Sequence, residues 1–221
     1  MKQIVLKSLK DIFSKEVILF VIKIAFASFT LSLIFIWFFW GGLSAFIASY
    51  LSWIPWTWLQ NSGAKVMTFA LGYMIFIIMV SLLTSLYSER LVIKIAKKHY
   101  PAIPVVGSVD IQTSLFITLK SSLLFLLLFL LFIPFLFIPI LGQIIMLYLW
   151  SILIKEPSVY DVGSLFISNK KELKAKTKKT TLLAMVASLF NYIPLLNAFT
   201  PIFAQILFLH HILGTMHTNK R

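Results

Sequence analysis

Residues 121–154 read SSLLFLLLFLLFIPFLFIPILGQIIMLYLWSILI, 34 positions without a single charge. A helix crossing a hydrocarbon core needs about 20 such residues. The tract is therefore too long for one span and too short for two spans joined by a turn. Its middle carries Pro134, Pro139 and Gly142, residue types that interrupt helices. Length and breakers are satisfied together by a helical hairpin that enters and leaves the bilayer through one face and penetrates partway.

Outward from this tract, charges at Lys23, Lys65, Glu89, Lys120, Lys155, Lys179 and Lys220 fence off three more uncharged stretches, 24–64, 66–88 and 180–219. The last repeats the hairpin design, with Pro194 and Pro201 near its middle. Ile138-Pro139-Ile140-Leu141-Gly142-Gln143 resembles Ile193-Pro194-Leu195-Leu196-Asn197-Ala198, 55 residues later, which suggests an internal repeat. The match is short and apolar, and chance competes with it. Stretch 66–88 suits one span, and a first span is expected at about 17–40. Residues 41–64, with Gly41-Gly42 and Pro55, would join the two on the far side. Trp37, Trp40, Trp53, Trp56 and Trp58 read as an aromatic belt. The first 23 residues place Lys2, Lys7, Lys10, Lys15 and Lys23 among Ile4, Leu9, Ile12 and Phe13, the pattern of an interfacial amphipathic helix.

Residues 1–221 thus form one all-α integral membrane domain: two long transmembrane helices within 17–88, and two Pro-broken, partly inserted helical hairpins at 115–155 and 180–219. A basic cytoplasmic loop at 156–179 is expected between the hairpins. Composition agrees. The chain is 60% hydrophobic and 12% charged, against roughly 45–50% and 25% in soluble domains. A soluble globule is excluded. The first apolar stretch exceeds the 7–15-residue core of a signal peptide, so no cleavable leader is expected. With two single spans and two hairpins, every lysine and arginine except Lys65 falls on one face, which the positive-inside rule makes cytoplasmic, termini included. Four simple spans would export the lysine-rich 155–179 segment.

The net charge of +13 sits in clusters beside membrane segments. Arg90, Lys94, Lys97 and Lys98 form a stripe opposite Leu91, Val92 and Ile95, and Lys170, Lys171, Lys174, Lys176, Lys178 and Lys179 form a denser cluster. Anionic lipid headgroups are the expected partners, with anion steering the alternative and nucleic acid disfavoured. Ser81, Thr84, Ser85 and Ser88 lie on one stripe of the second span, read first as a packing face and second as a solute lining. Gln143, Asn191, Asn197 and Gln205 lie in or beside the hairpin tips. Neutral amides there either bind a solute or cap broken helix ends, and discontinuous helices line binding sites in transporters.

Catalysis finds little support. The chain has no cysteine, so disulfides, thiolate metal sites and a cysteine nucleophile are absent. His99, His210, His211 and His217 have no carboxylate at metal-ligand spacing. No acid lies between 17 and 88 or between 111 and 155, whereas membrane-embedded enzymes and proton relays need ionisable groups at depth. No enzyme, metal or cofactor is expected.

The order of these features resembles the CysZ family of bacterial sulfate permeases, in the wider etoposide-induced-protein superfamily, over nearly the whole chain. The resemblance is carried by Ile138–Gln143, Leu149-Trp150 and the run from Ser188 to Asn197. Upstream it is carried by Trp53-Ile54-Pro55, Trp58-Leu59 and Ser88-Glu89-Arg90-Leu91. It implies a homo-oligomeric inner-membrane permease that conducts sulfate for cysteine synthesis, and hence a transporter or channel for a small inorganic anion. The alternative is a non-transporting scaffold or assembly protein of the same fold. The family's sulfate motif, Gly-apolar-Arg-Arg, falls by position on Glu16, Val17, Ile18 and Leu19, with neither the glycine nor an arginine present. Any solute is therefore expected to be recognised elsewhere.

Overall fold

A computed structural model describes residues 2–52, 55, 57–136, 138–169, 172–173, 180–193 and 196–218, with only the backbone of 59, 61, 217 and 218. Trp53, Trp56, Pro194 and the lysines of 170–179 lie outside the described residues, as does Lys220. The described residues contain no strand. The helices are α1 (Lys2–Ile12), α2 (Lys15–Tyr50), α3 (Thr57–Tyr87), α4 (Glu89–His99), α5 (Ile111–Leu136), α6 (Leu141–Phe166), α7 (Thr181–Ser188) and α8 (Thr200–Thr218). Four stretches are long and apolar enough to cross a membrane: Lys15–Tyr50, Ser62–Tyr87, Ile111–Leu136 and Leu196–Met216. The protein is an all-α membrane protein.

The 36 residues of α2 run straight through Gly41 and Gly42, where the sequence suggested a connector. Each glycine costs a helix interior about 1 kcal/mol relative to alanine. An unpaired peptide group in lipid costs several, so continuing the helix wins. The connector shrinks to residues 51–56. At 1.5 Å per residue α2 is about 54 Å long, well beyond the ~30 Å of a hydrocarbon core, so its first turns, with Lys15 and Lys23, have room to stand at the interface.

Helices α5 and α6 pack against each other as the first hairpin, and both are longer than their uncharged parts because Lys120 and Lys155 lie inside them. Asp110 starts α5, accepting from the Thr113 N–H at 3.0 Å, an N-cap. From Lys120 to the tip is 16 residues, about 24 Å of helix. At the tip, Ile140 has φ 67 and ψ −54, and the Leu141 N–H donates to the Pro139 carbonyl at 2.8 Å. That is a γ-turn with positive φ, a strained form, at a β-branched residue. Gly142 has no alternative: a Cβ there would lie 2.3 Å from the Leu136 carbonyl oxygen.

The second hairpin reaches its tip differently. Leu189–Tyr192 and Leu196–Phe199 are 3₁₀ turns between α7 and α8. One bond is common to both tips. Gly142 N–H donates to the Ile138 carbonyl at 2.9 Å, and Asn197 N–H, 55 residues on, donates to the Ile193 carbonyl at 3.3 Å. The sequence repeat therefore has a backbone counterpart.

Helix α8 is the centre of the molecule. In its most apolar stretch 83% is buried, against 28% for α2, and α1, α3, α6 and α7 pack round it. Ile202, Ile206 and Leu209 of α8 and Leu149, Leu153 and Leu165 of α6 are among the fully buried core residues. In lipid such contacts hold by close packing rather than by water exclusion. Helix α1 is bound at its C-terminal end, where Ser8, Asp11 and Ile12 are buried. On α4, Val92, Ile95 and Ala96 face inward while Arg90, Lys94, Lys97 and Lys98 are exposed, matching the expected basic stripe.

Candidate functional site

Residues 156–166, expected in the basic loop, are instead the last turns of α6. Val159, Val162 and Leu165 recur every three residues and are buried, so this end of the helix is pulled into the bundle, and Asp161 goes with it at 2% exposure. Four elements meet at its carboxylate. Ser85 of α3 donates to Oδ2, Ser114 of α5 donates to Oδ1 at 2.7 Å, and Gln205 Nε2 of α8 donates to Oδ2 at 3.0 Å. The Ser85 and Ser114 hydroxyls are 3.0 Å apart, and Thr118 lies 3.3 Å from Ser85. All three donors to Asp161 are neutral. The packing reading of the small-residue stripe suits Ser81, Thr84 and Ser88, which are buried, while Ser85 joins this polar cluster. Asp161 is hidden in the sequence because Lys155 and Glu156 end the uncharged tract, and the signal that the helix continues is the apolar spacing at 159, 162 and 165.

The amides at the tips separate. Gln143 is exposed, and only its backbone carbonyl is engaged, by the Tyr192 hydroxyl. Tyr192 also meets the Trp150 ring edge-on with centroids 4.9 Å apart, so the two hairpins touch through Tyr192. Asn197 turns away from the first tip: its Nδ2 donates to the Tyr73 hydroxyl on α3 at 2.7 Å. Asn191 accepts from Thr200 at 2.7 Å through Oδ1, and its buried Nδ2 has no hydrogen-bond partner among the described residues. Gln205 belongs to the Asp161 cluster. A cavity of about 640 Å³ lies between α2, α3 and the second tip, lined by Ser32, Thr68, Tyr73 and Asn197 among apolar side chains that include Phe29 and Phe76. The Ser32 hydroxyl is buried and without a hydrogen-bond partner among the described residues. No carboxylate lines this cavity.

At the start of α2, Glu16 is exposed and pairs with Lys94 of α4 at 2.6 Å. Val17 is fully buried, Ile18 partly so, and Leu19 is exposed. The aligned motif positions therefore offer an ion pair and apolar side chains.

The histidines correct the sequence reading. Asp11 of α1, 88 residues from His99 and 199 from His210, lies between them: His99 Nε2 is 2.8 Å from Asp11 and His210 Nε2 is 2.9 Å. Lys98 Nζ is 3.2 Å from Asp11 Oδ1. Burial alone would raise the Asp11 pKa. The hydrogen bonds from His210 and His99, with the charge of His99 and the Lys98 contact, outweigh it and hold the carboxyl well below the usual range. Among the described residues, Asp11, His99 and His210 are a group able to hold a metal ion. Linear spacing could not reveal a triad drawn from three helices.

Long apolar helices, a proline-broken hairpin and a tip that feeds a central buried helix define a polytopic membrane protein with discontinuous membrane segments, the design in which transporters place binding sites. The sequence model of the family described as sulfate transporter CysZ/etoposide-induced protein 2.4 matches residues 4–201. The chain belongs to that family. No curated protein and no solved structure matches it.

Proposed function

We propose that this protein is a permease, a transporter or channel, for a small inorganic anion, with sulfate the first candidate by family. The observation that supports this best is the cavity beside the second tip. Its lining as described has no carboxylate; it presents the Ser32 hydroxyl, without a hydrogen-bond partner among the described residues, and the Asn197 amide, one of whose protons goes to Tyr73, itself a donor to the Asn191 carbonyl at 3.4 Å. A hydrated dianion must have its water replaced by donors, and neutral donors in an apolar surround can do this without repelling it. The start of α2 is a poor rival, since Glu16 stands there and its charge is met by Lys94. The solute is recognised at the cavity.

In this reading the chain is a homo-oligomer in a bacterial inner membrane, with both termini and the lysine-rich segment cytoplasmic against anionic headgroups, and the hairpins partly inserted. The absent Gly-apolar-Arg-Arg motif favours the second reading, a scaffold of the same fold. Uptake of radiolabelled sulfate, thiosulfate and phosphate into proteoliposomes separates the two. Saturable uptake of one anion, reduced by Asn197→Leu, supports the permease; no uptake of any of them leaves the scaffold.

A further inference from the structure

Neither the family nor the proposed permeation path assigns any role to the Asp11, His99 and His210 group. We propose that it is a site for a zinc-class divalent cation that clamps α1 to α4 and α8. The three ligand atoms, both Nε2 atoms and a carboxylate oxygen, lie within 4.8 Å of one another. Two imidazoles and one carboxylate form a set taken by Zn²⁺, with a fourth position left for water. Each ligand comes from a different helix, and Asp11 and His210 are 2% and 1% exposed, so the groups are held in place.

A supporting shell is also present. His210 Nδ1 is 3.1 Å from the Tyr100 hydroxyl, and that hydroxyl is 3.4 Å from Lys7 Nζ. Metal-bound histidines usually engage their second nitrogen in this way, which fixes the ring and the tautomer. Without a metal, Lys7 can only donate to Tyr100, Tyr100 donates to Nδ1, and the Nε2–H donates to Asp11. With a metal, Nδ1–H donates to Tyr100 and the Nε2 lone pair is free for coordination. Tautomer exchange is the only change that His210 needs. The competitor is Lys98, whose ammonium occupies Asp11 Oδ1 at 3.2 Å; its side chain is 64% exposed and can swing into water when a dication arrives.

Lys98 therefore distinguishes a metal site from a hydrogen-bonded latch. Tag-free, full-length protein in detergent is stripped with chelator and titrated with ZnCl₂ by calorimetry, and with Co²⁺ by visible absorption. The expected result is one Zn²⁺ per chain, with Co²⁺ bands of a four- or five-coordinate nitrogen–oxygen site. His99→Ala, at the most exposed ligand, should abolish the Co²⁺ bands, Tyr100→Phe should weaken zinc about 10–100-fold as supporting-shell changes do, and Lys98→Ala should tighten it. The melting temperature should rise with Zn²⁺ and not with Mg²⁺. No zinc binding by the unsubstituted protein, or binding unaltered by both His99→Ala and Lys98→Ala, would overturn the proposal.

Discussion

The Gln205 amide of α8 and the Asp161 carboxylate of α6 share a hydrogen bond of 3.0 Å, inside a bundle where both side chains are about 2% exposed. A lone carboxylate in such a place is costly unless its lone pairs are filled, and here two hydroxyls and one amide fill them. Asp161→Asn keeps an acceptor and the shape, and should melt within a few degrees of the unsubstituted protein. Asp161→Leu strands the donors of Ser85, Ser114 and Gln205, and should lose about 3 kcal/mol, the cost of one or more orphaned buried groups. Equal melting of the two variants in detergent would show that the hydroxyls do not depend on Asp161.

The strained γ-turn at Ile140 gives a prediction of opposite sign. A non-glycine residue at unfavourable φ costs about 1–3 kcal/mol, and a glycine costs about 0.5–1 kcal/mol of extra chain entropy. Ile140→Gly should therefore stabilise the protein by about 1 kcal/mol. A lower melting temperature would mean that the exposed Ile140 side chain contributes more than the strain removes.

Gln143 and Asn197 lie in the two matching tips. Their surroundings now separate them. Asn197→Leu removes a side chain that lines the cavity and bonds Tyr73, and should lower anion uptake about tenfold, the equivalent of one hydrogen bond of ~1.4 kcal/mol. Gln143→Leu leaves the engaged backbone carbonyl in place and should have little effect. Matched losses in both variants would show that the two tips serve one site.

Sidedness can be read with single cysteines, since the native chain has none. Ser168→Cys, exposed just beyond α6, should react with a membrane-impermeant maleimide only from the cytoplasmic side. If the first hairpin is partly inserted, as proposed, Ile140→Cys at its tip should react from neither side. Labelling of position 168 from the periplasm alone would invert the proposed orientation.

The length of uncharged sequence was enough to show a membrane protein, and Pro139 with Gly142 was enough to locate the first tip, because breakers act locally, although Pro134 is carried inside the end of α5. The extent of α2 was not legible: Gly41-Gly42 would end many helices in water, and the lipid environment reverses that preference. The offset between the two tips was legible, and the matching bonds of Gly142 and Asn197 follow it. The Asp161 cluster was half legible, through the hydroxyl stripe of α3 but not through a carboxylate hidden behind Lys155 and Glu156. The Asp11 group was not legible at all, because its members are 88 and 199 positions apart and no periodicity reaches that far.

The bond between Asp11 and His210 also orders events during synthesis. Asp11 leaves the ribosome 199 residues ahead of its partner, which at 5–20 residues per second is roughly 10–40 s. Until α4 follows, 88 residues on, the helix carries a carboxylate and its three lysines without His99 or Lys98 to meet Asp11, and His210 comes only at the end of the interval. A basic amphipathic segment in that position rests on the membrane surface, where anionic headgroups hold it. Helix α1, made ahead of α4 and α8, thus completes its docking only when α8 is home.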